Sequence, residues 1–312
     1  MGLNEEEEMV GKQDLGDLQD GEQPLIRENS FTVPVGYKHI DNLALPSKGM
    51  FYQDDFHVSC RGLNIDEVKH YSMIDENSNL DIENHLNQVL DKACKISVGD
   101  RNLSYKDLKL ADKLYIIFVI RDMTMNKHNR QVNLRLPSVC SNGHISNLTI
   151  DSEMFSFYKI NEKFFESYYD SNLKCFNIPK YDLRIYIPSI GVAEALFQYV
   201  KHKEELKQKG DLSGATYNKE YFKFLLLLIP DFRNLTIAKI DAMMKKYNEQ
   251  PFSIEKFEAL ESITRRISIS IEPSVTHKCD TCEEEVTTQI RFPKGYRSIF
   301  YLTSVDSELF GD

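Results

Sequence analysis

The sequence predicts an α+β fold made of two loosely related halves. Three observations predict it. Apolar residues recur at helical spacing in some segments and alternate strictly in others. The order strand, helices, hairpin occurs twice along the chain. Each hairpin turn carries a Cys/His knuckle, "CSNGH" at 140–144 and "HKCDTCEEE" at 277–285, with 134 residues between His144 and Cys279. The halves run over 31–157 and 158–312, behind a separate segment 1–30.

That first segment is set apart by charge. Residues 1–30 hold nine Asp/Glu and two Lys/Arg, a net charge of −7, whereas the remaining chain supplies only −3 of the total of −10. It lacks hydrophobic periodicity and reads as an acidic disordered tail. The 41% hydrophobic content is enough for a packed core elsewhere. No apolar run approaches the roughly 20 residues of a membrane helix, and the start "MGLNEEEE" has neither the basic nor the apolar region of a secretory signal. The six cysteines therefore suit a reducing compartment, as ligands or core residues rather than disulfides.

In the first half, "PSKG" at 46–49 reverses the chain into a strand from Met50 to Cys60. A helix over Asp81–Cys94 follows, with Ile82, Leu86, Val89, Leu90, Ala93 and Cys94 on one face. A second helix over Leu108–Arg121 has Ser104 and Asp107 as a capping box ahead of it. Its middle, "KLYIIFVI", is apolar all round and is expected to be buried. The period then changes to two: Val132, Leu134 and Leu136 alternate before the first knuckle, Leu148 and Ile150 after it.

The second half runs in the same order. "YDLRIYIPS" reads as a strand and "GVAEALFQYVKHKEELKQKG" as a helix closed by Gly210. Helices follow at "YFKFLLLLIP", "TIAKIDAMMKKY" and "SIEKFEALESI", the last opened by Ser253. "RRISISIEP" alternates through Ile267, Ile269 and Ile271 as a strand should. After the second knuckle, Val286, Thr288, Ile290 and Phe292 share a face. "PSV" precedes both knuckles, at 137–139 and 273–275, but aligning the prolines sets Leu136 against Glu272, the wrong strand phase. Cys60 falls in a strand, Cys94 in a helical stripe and Cys175 in a loop-like stretch, and all three read as structural.

Zinc is held by four Cys or His ligands, and tight turns supply them in closely spaced pairs. Cys279 and Cys282 form the usual C-x2-C pair, and Cys140 and His144 a looser C-x3-H pair. If the hairpins meet face to face they make one Cys3His, zinc-ribbon-like site, with His277 as an alternative fourth ligand. Four protein ligands leave no open position for water, so the zinc would be structural. No GxSxG, HExxH, GxGxxG or Walker loop occurs, and no pairing of carboxylates singles out an acid and a base. The chain is read as a non-enzyme. Glu283, Glu284 and Glu285 beside the knuckle argue against the alternative of a zinc-ribbon nucleic-acid-binding or regulatory protein, which would need clustered Lys/Arg there.

"LALPSKGMFY", then "DLKLADKLYIIFVIRDMT", then "VCSNGH", then "HKCDTCEEEVTTQIRFPKGYRSIF" stand in an order that resembles the T4-type tailed-phage baseplate hub and hub-assembly proteins. The resemblance covers roughly residues 43–150 and 265–305. The chain departs from that pattern in carrying Cys140-x3-His144 where a second C-x2-C would stand, and in its long helical middle. The resemblance implies a late, non-enzymatic structural or assembly protein of the baseplate hub. Its expected partners are other phage hub and tail proteins, without membrane or nucleic acid. Its expected location is the host cytoplasm during assembly and the tail baseplate of the virion.

Overall fold

The structure, a computed structural model, describes residues 32–127, 134–211 and 219–300. The expected acidic tail and Val132 lie outside the described residues. The chain opens with an antiparallel meander, β1 (Lys38–Ile40), β2 (Phe56–Cys60), β3 (Cys94–Val98) and β4 (Arg101–Leu103), adjacent in that order. Two helices, α1 (Ile65–Tyr71) and α2 (Asn79–Ala93), separate β2 from β3. Asn64 and Glu67 close a reciprocal capping box on α1, and the Ser78 side chain accepts from the Asp81 N–H at the start of α2. All six apolar residues expected on the inner face of the second helix are buried, Cys94 already as the first residue of β3.

The strand expected from Met50 begins only at Phe56. Turns occupy 46–55, because Lys48 and Gly49 both adopt positive φ and their neighbours are drawn inward to α3 (Leu110–Lys127). Asp112, 0% exposed in the first turn of α3, accepts from the Ser47 N–H at 2.8 Å, the Ser47 hydroxyl at 2.7 Å and the Tyr52 hydroxyl at 2.7 Å. Tyr52 in turn accepts from the Lys109 N–H at 2.8 Å. Burial pushes the Asp112 carboxyl up from its ordinary value, and the hydrogen bonds from Tyr52 and Ser47 oppose that shift. The middle of α3 is enclosed as expected, with Tyr115, Ile116, Ile117, Phe118 and Ile120 all buried. The Ser104–Asp107 box forms, but on a separate 3-10 turn, Tyr105–Asp107, ahead of α3.

Gly62 lets the chain after β2 lie against α3. A Cβ there would stand 2.9 Å from the backbone of Met123 and Thr124, and the next residue, Leu63, donates its N–H to the Thr124 hydroxyl at 2.9 Å. Neither neighbour is the flexible end of a side chain. Gly62→Ala is expected to destabilise the fold by about 1–3 kcal/mol, from overpacking against rigid backbone. A urea titration that left the midpoint unchanged would contradict this close approach.

The first knuckle joins β5 (Leu134–Val139) to β6 (Ile145–Ile150). Beyond it come α4 (Glu162–Tyr168) and a three-stranded antiparallel sheet, β7 (Tyr169–Asp170), β8 (Cys175–Ile178) and β9 (Leu183–Ile185). Cys175 is thus a buried residue of a central strand, not of a loop; its neighbour Phe176 packs on the rings of Phe51, Phe164 and Tyr169 in a second core, beside the first core around α2, α3 and the meander. The strand expected over "YDLRIYIPS" shortens to β9, since Tyr181 ends a 3-10 turn and Asp182 takes the left-handed conformation at φ 50°.

The helices follow as expected: α5 (Ile190–Gln208), α6 (Lys219–Leu228), α7 (Ile237–Glu249) and α8 (Ile254–Arg266). Ser189, Thr236 and Ser253 cap α5, α7 and α8, and Gly210, at φ +79°, follows α5. The strand expected at Ile267–Ile271 does not form. This segment makes one isolated bridge, Phe157 to Ile271, flanked by Tyr158 N–H to Ser270 O and Glu272 N–H to Ser156 O. Its alternation has another cause: Ile267 and Ile269 reach the second core, Ile271 the first.

The second hairpin, β10 (Ser274–Lys278) and β11 (Glu285–Gln289), and β12 (Pro293–Tyr296) complete the described chain. Val275, Ile299 and Phe300 enter the first core with α2, α3 and the meander. Glu76 accepts from the backbone N–H groups of Tyr296 and Arg297, and the Tyr71 hydroxyl donates to Tyr296 O. These contacts bring Tyr296–Phe300 back to Tyr71 and Glu76, and the two hairpins lie side by side, β11 against β5. Among the described residues no helix is long and apolar enough to cross a membrane.

Candidate metal centre

Each knuckle is a tight reversal closed by the same backbone hydrogen bonds. In the first, Cys140 N–H donates to His144 O at 3.1 Å and Gly143 N–H to Cys140 O at 3.0 Å. In the second, Cys279 N–H donates to Glu284 O at 2.8 Å and Glu283 N–H to Cys279 O at 2.9 Å. Both turns need one left-handed residue, Gly143 at φ +81° and Glu283 at φ 59°. The first loop is one residue shorter, which puts His144 at the foot of β6 where its side chain can come back over Cys140.

The halves therefore correspond through their first cysteines and not through "PSV". Pro137–Val139 runs directly into Cys140, whereas Pro273 lies ahead of β10, six residues before Cys279. Aligned on Cys140 and Cys279, the strand phases agree. Ser138 and His277 each stand two residues earlier, on the same strand face as their cysteine.

The four expected ligands converge. One donor atom each from Cys140, His144, Cys279 and Cys282 lies within 4.8 Å of all the others. The Cys140 and Cys282 sulfurs are 3.8 Å apart, and Cys140 Sγ is 3.4 Å from His144 Nδ1. Ligands at usual zinc distances in a tetrahedron are about 3.8 Å apart sulfur to sulfur and about 3.5 Å sulfur to nitrogen. The cluster thus has the composition and size to hold a metal ion, and its two facing hairpins suit a zinc-ribbon-like site. Cys140, Cys279 and Val286 are buried together, so two of the three sulfurs lie away from bulk water, while Cys282 is half-buried.

Hydrogen bonds to sulfur prepare the set. The His144 N–H donates to Cys140 Sγ at 3.3 Å, and Asn142 Nδ2 donates to Cys282 Sγ at 3.5 Å. The Asn142 amide and the Glu284 backbone hold the Cys282 thiol below its ordinary value, whereas desolvation raises that of Cys140. Glu284 also ties the turns together, accepting from Asn142 Nδ2 at 3.3 Å and from the Ser141 hydroxyl.

His277, the alternative ligand, is engaged elsewhere. Its Nε2 meets Ser138 Oγ at 2.8 Å, Thr288 Oγ1 donates to Ser138 Oγ at 2.8 Å, and Nδ1 meets Lys278 O at 3.1 Å. A ring protonated on Nδ1 satisfies this whole chain, with the Ser138 hydroxyl donating to Nε2. His277 is a polar rivet between the hairpins, one layer below the sulfurs. His277→Ala is expected to leave the donor set intact, so cobalt titrated into the variant should give the same d–d bands and the same affinity as in the parent protein, whereas His144→Ala should change both; the reverse pattern would make His277 the ligand. Ser138, Thr288, Asn142 and Glu284 are absent from the sequence-derived site. Only Ser138 and His277 carried a signal, their two-residue distance from a cysteine.

No protein-family model, curated protein or solved structure matches the chain.

Proposed function

We propose that this chain is a non-enzymatic structural or assembly component of the baseplate hub of a contractile-tailed bacteriophage, with its two hairpins locked by one structural zinc ion. The observation that carries this reading is the buried knot of Ser47, Tyr52 and Asp112. It joins "LALPSKGMFY" to "DLKLADKLYIIFVIRDMT", the first two of the four segments whose order resembles hub proteins. Motifs some 60 positions apart in sequence meet in one polar site inside the core, which gives their joint occurrence a physical reason. Their polar residues serve packing: Ser47 and Tyr52 hold the turn, and Thr124 receives the loop after β2.

The zinc part of the reading rests on the composition and compactness of the Cys3His cluster. A metal held by four protein side chains has no position left for a substrate, so it would act as a rivet. It would present the hairpins as a rigid unit to neighbouring hub and tail proteins during assembly in the host cytoplasm. A phage with a nonsense mutation in this gene is expected to assemble heads but no complete baseplates, as seen by electron microscopy of lysates. Infectious particles with normal tails would overturn the hub reading. Affinity capture from infected cells should recover other tail proteins; recovery chiefly of RNA or DNA would instead support a zinc-ribbon nucleic-acid binder.

A further inference from the structure

Outside the metal cluster, one other pair of cysteines is in contact. Cys60 ends β2, Cys94 begins β3, and the strand register sets them directly opposite each other. Their sulfurs are 3.3 Å apart, and the residues are only 0% and 7% exposed. Arg61 N–H donates to Ala93 O at 3.0 Å, one residue beyond the pair on each strand. That bond places Cys60 and Cys94 at a site where the facing residues do not exchange backbone hydrogen bonds. Cα atoms at such a site are about 4.5 Å apart, within the roughly 4.4–6.8 Å that a disulfide spans. With an S–S bond of about 2.05 Å, the sulfurs have little more than 1 Å to close, a distance side-chain rotation covers without moving either strand.

We infer that Cys60 and Cys94 are a latent cross-strand disulfide site, held as two thiols under reducing conditions and joined by a low-molecular-weight disulfide. The reaction is thiol–disulfide exchange. One protein thiolate attacks a sulfur of the external disulfide, forms a mixed disulfide and releases one small thiolate. The second, after giving its proton to solvent, attacks the protein sulfur of that mixed disulfide and expels the other small thiol. Two protein thiols are oxidised and one external disulfide is reduced to two thiols. Burial, and the adjoining Cys94 thiol, push the Cys60 thiol well up, so the pair is a poor nucleophile while the strands stay closed. The new bond would close the 34-position loop that contains α1 and α2, tying the end of α2 to the sheet.

The remaining cysteines do not compete. Cys140, Cys279 and Cys282 belong to the metal cluster, and Cys175 is buried in β8, in a different sheet from Cys60 and Cys94. The full chain, refolded from urea with zinc in either reduced or oxidised glutathione, tests the inference without a barrier from burial. After acid quenching, alkylation and digestion without reductant, the oxidised sample should yield a Cys60 peptide joined to a Cys94 peptide. Its melting temperature should exceed that of the reduced sample by roughly 5 °C or more, from the shorter free loop in the unfolded chain. Cys94→Ser should show no such gain. Refolded protein in which Cys60 and Cys94 are both alkylated after exposure to oxidised glutathione would overturn the inference, as would a bond from either one to another cysteine.

Discussion

Protein purified without chelator is expected to carry about one zinc per chain, measured by plasma mass spectrometry, because four donors of the right kind already lie within 4.8 Å of one another. Cys279→Ser should abolish stoichiometric metal. His144→Ala should weaken it, since three thiolates and a water are a poorer set. The cost to the fold is expected to be about 3 kcal/mol, a fall of roughly 6–12 °C in melting temperature, as binding and hairpin docking are coupled. The loss should be concentrated where the hairpins meet, at Ser138–His277 and Ser141–Glu284, because these contacts span elements that the metal would hold together. Acid should release the metal, since thiolates and imidazole must be deprotonated to bind and protons compete as pH falls. Folded, full-length protein without metal would sink the shared site.

Asp112→Ala is expected to be among the most damaging single substitutions in the first core. It would leave the Ser47 N–H, the Ser47 hydroxyl and the Tyr52 hydroxyl without their acceptor in a site closed to water. Stranding three buried donors costs about 3–5 kcal/mol, and urea unfolding would read it as a lowered midpoint. Asp112→Asn should cost less, because the amide keeps one acceptor and the two hydroxyls can rotate to receive its N–H groups. The two variants also separate charge from hydrogen bonding. The folded carboxyl of Asp112 titrates above its ordinary value. Its contribution to stability is therefore fullest below the unfolded pKa and declines as pH rises through the folded one. Asp112→Asn should remove that part of the pH dependence. A dependence unchanged in the Asn variant would assign it to other carboxyls.

The sequence by itself determined most of the helices and the two Cys/His knuckles. Helical periodicity and a cap are local properties, so Ser253 marked the start of α8 without knowledge of the fold, whereas the caps Ser78, Ser189 and Thr236 emerged with the structure. The cysteine and histidine spacing was likewise local, because a turn that presents two ligands is a short-range object. Alternation was less secure. "RRISISIEP" alternates as a strand does, yet it runs extended between two cores with a single bridge, since only a neighbour with matching hydrogen-bonding groups makes a strand. Tertiary structure also decided between His144 and His277. Both lie close to a cysteine in sequence, but the shorter first loop brings His144 over Cys140, while Ser138, across the hairpin interface, takes the Nε2 of His277. The joining of the half-sites was decided at the same level. It is made by Ser138 with His277 and Thr288 and by Ser141 with Glu284, contacts roughly 140–150 positions apart that no local pattern encodes.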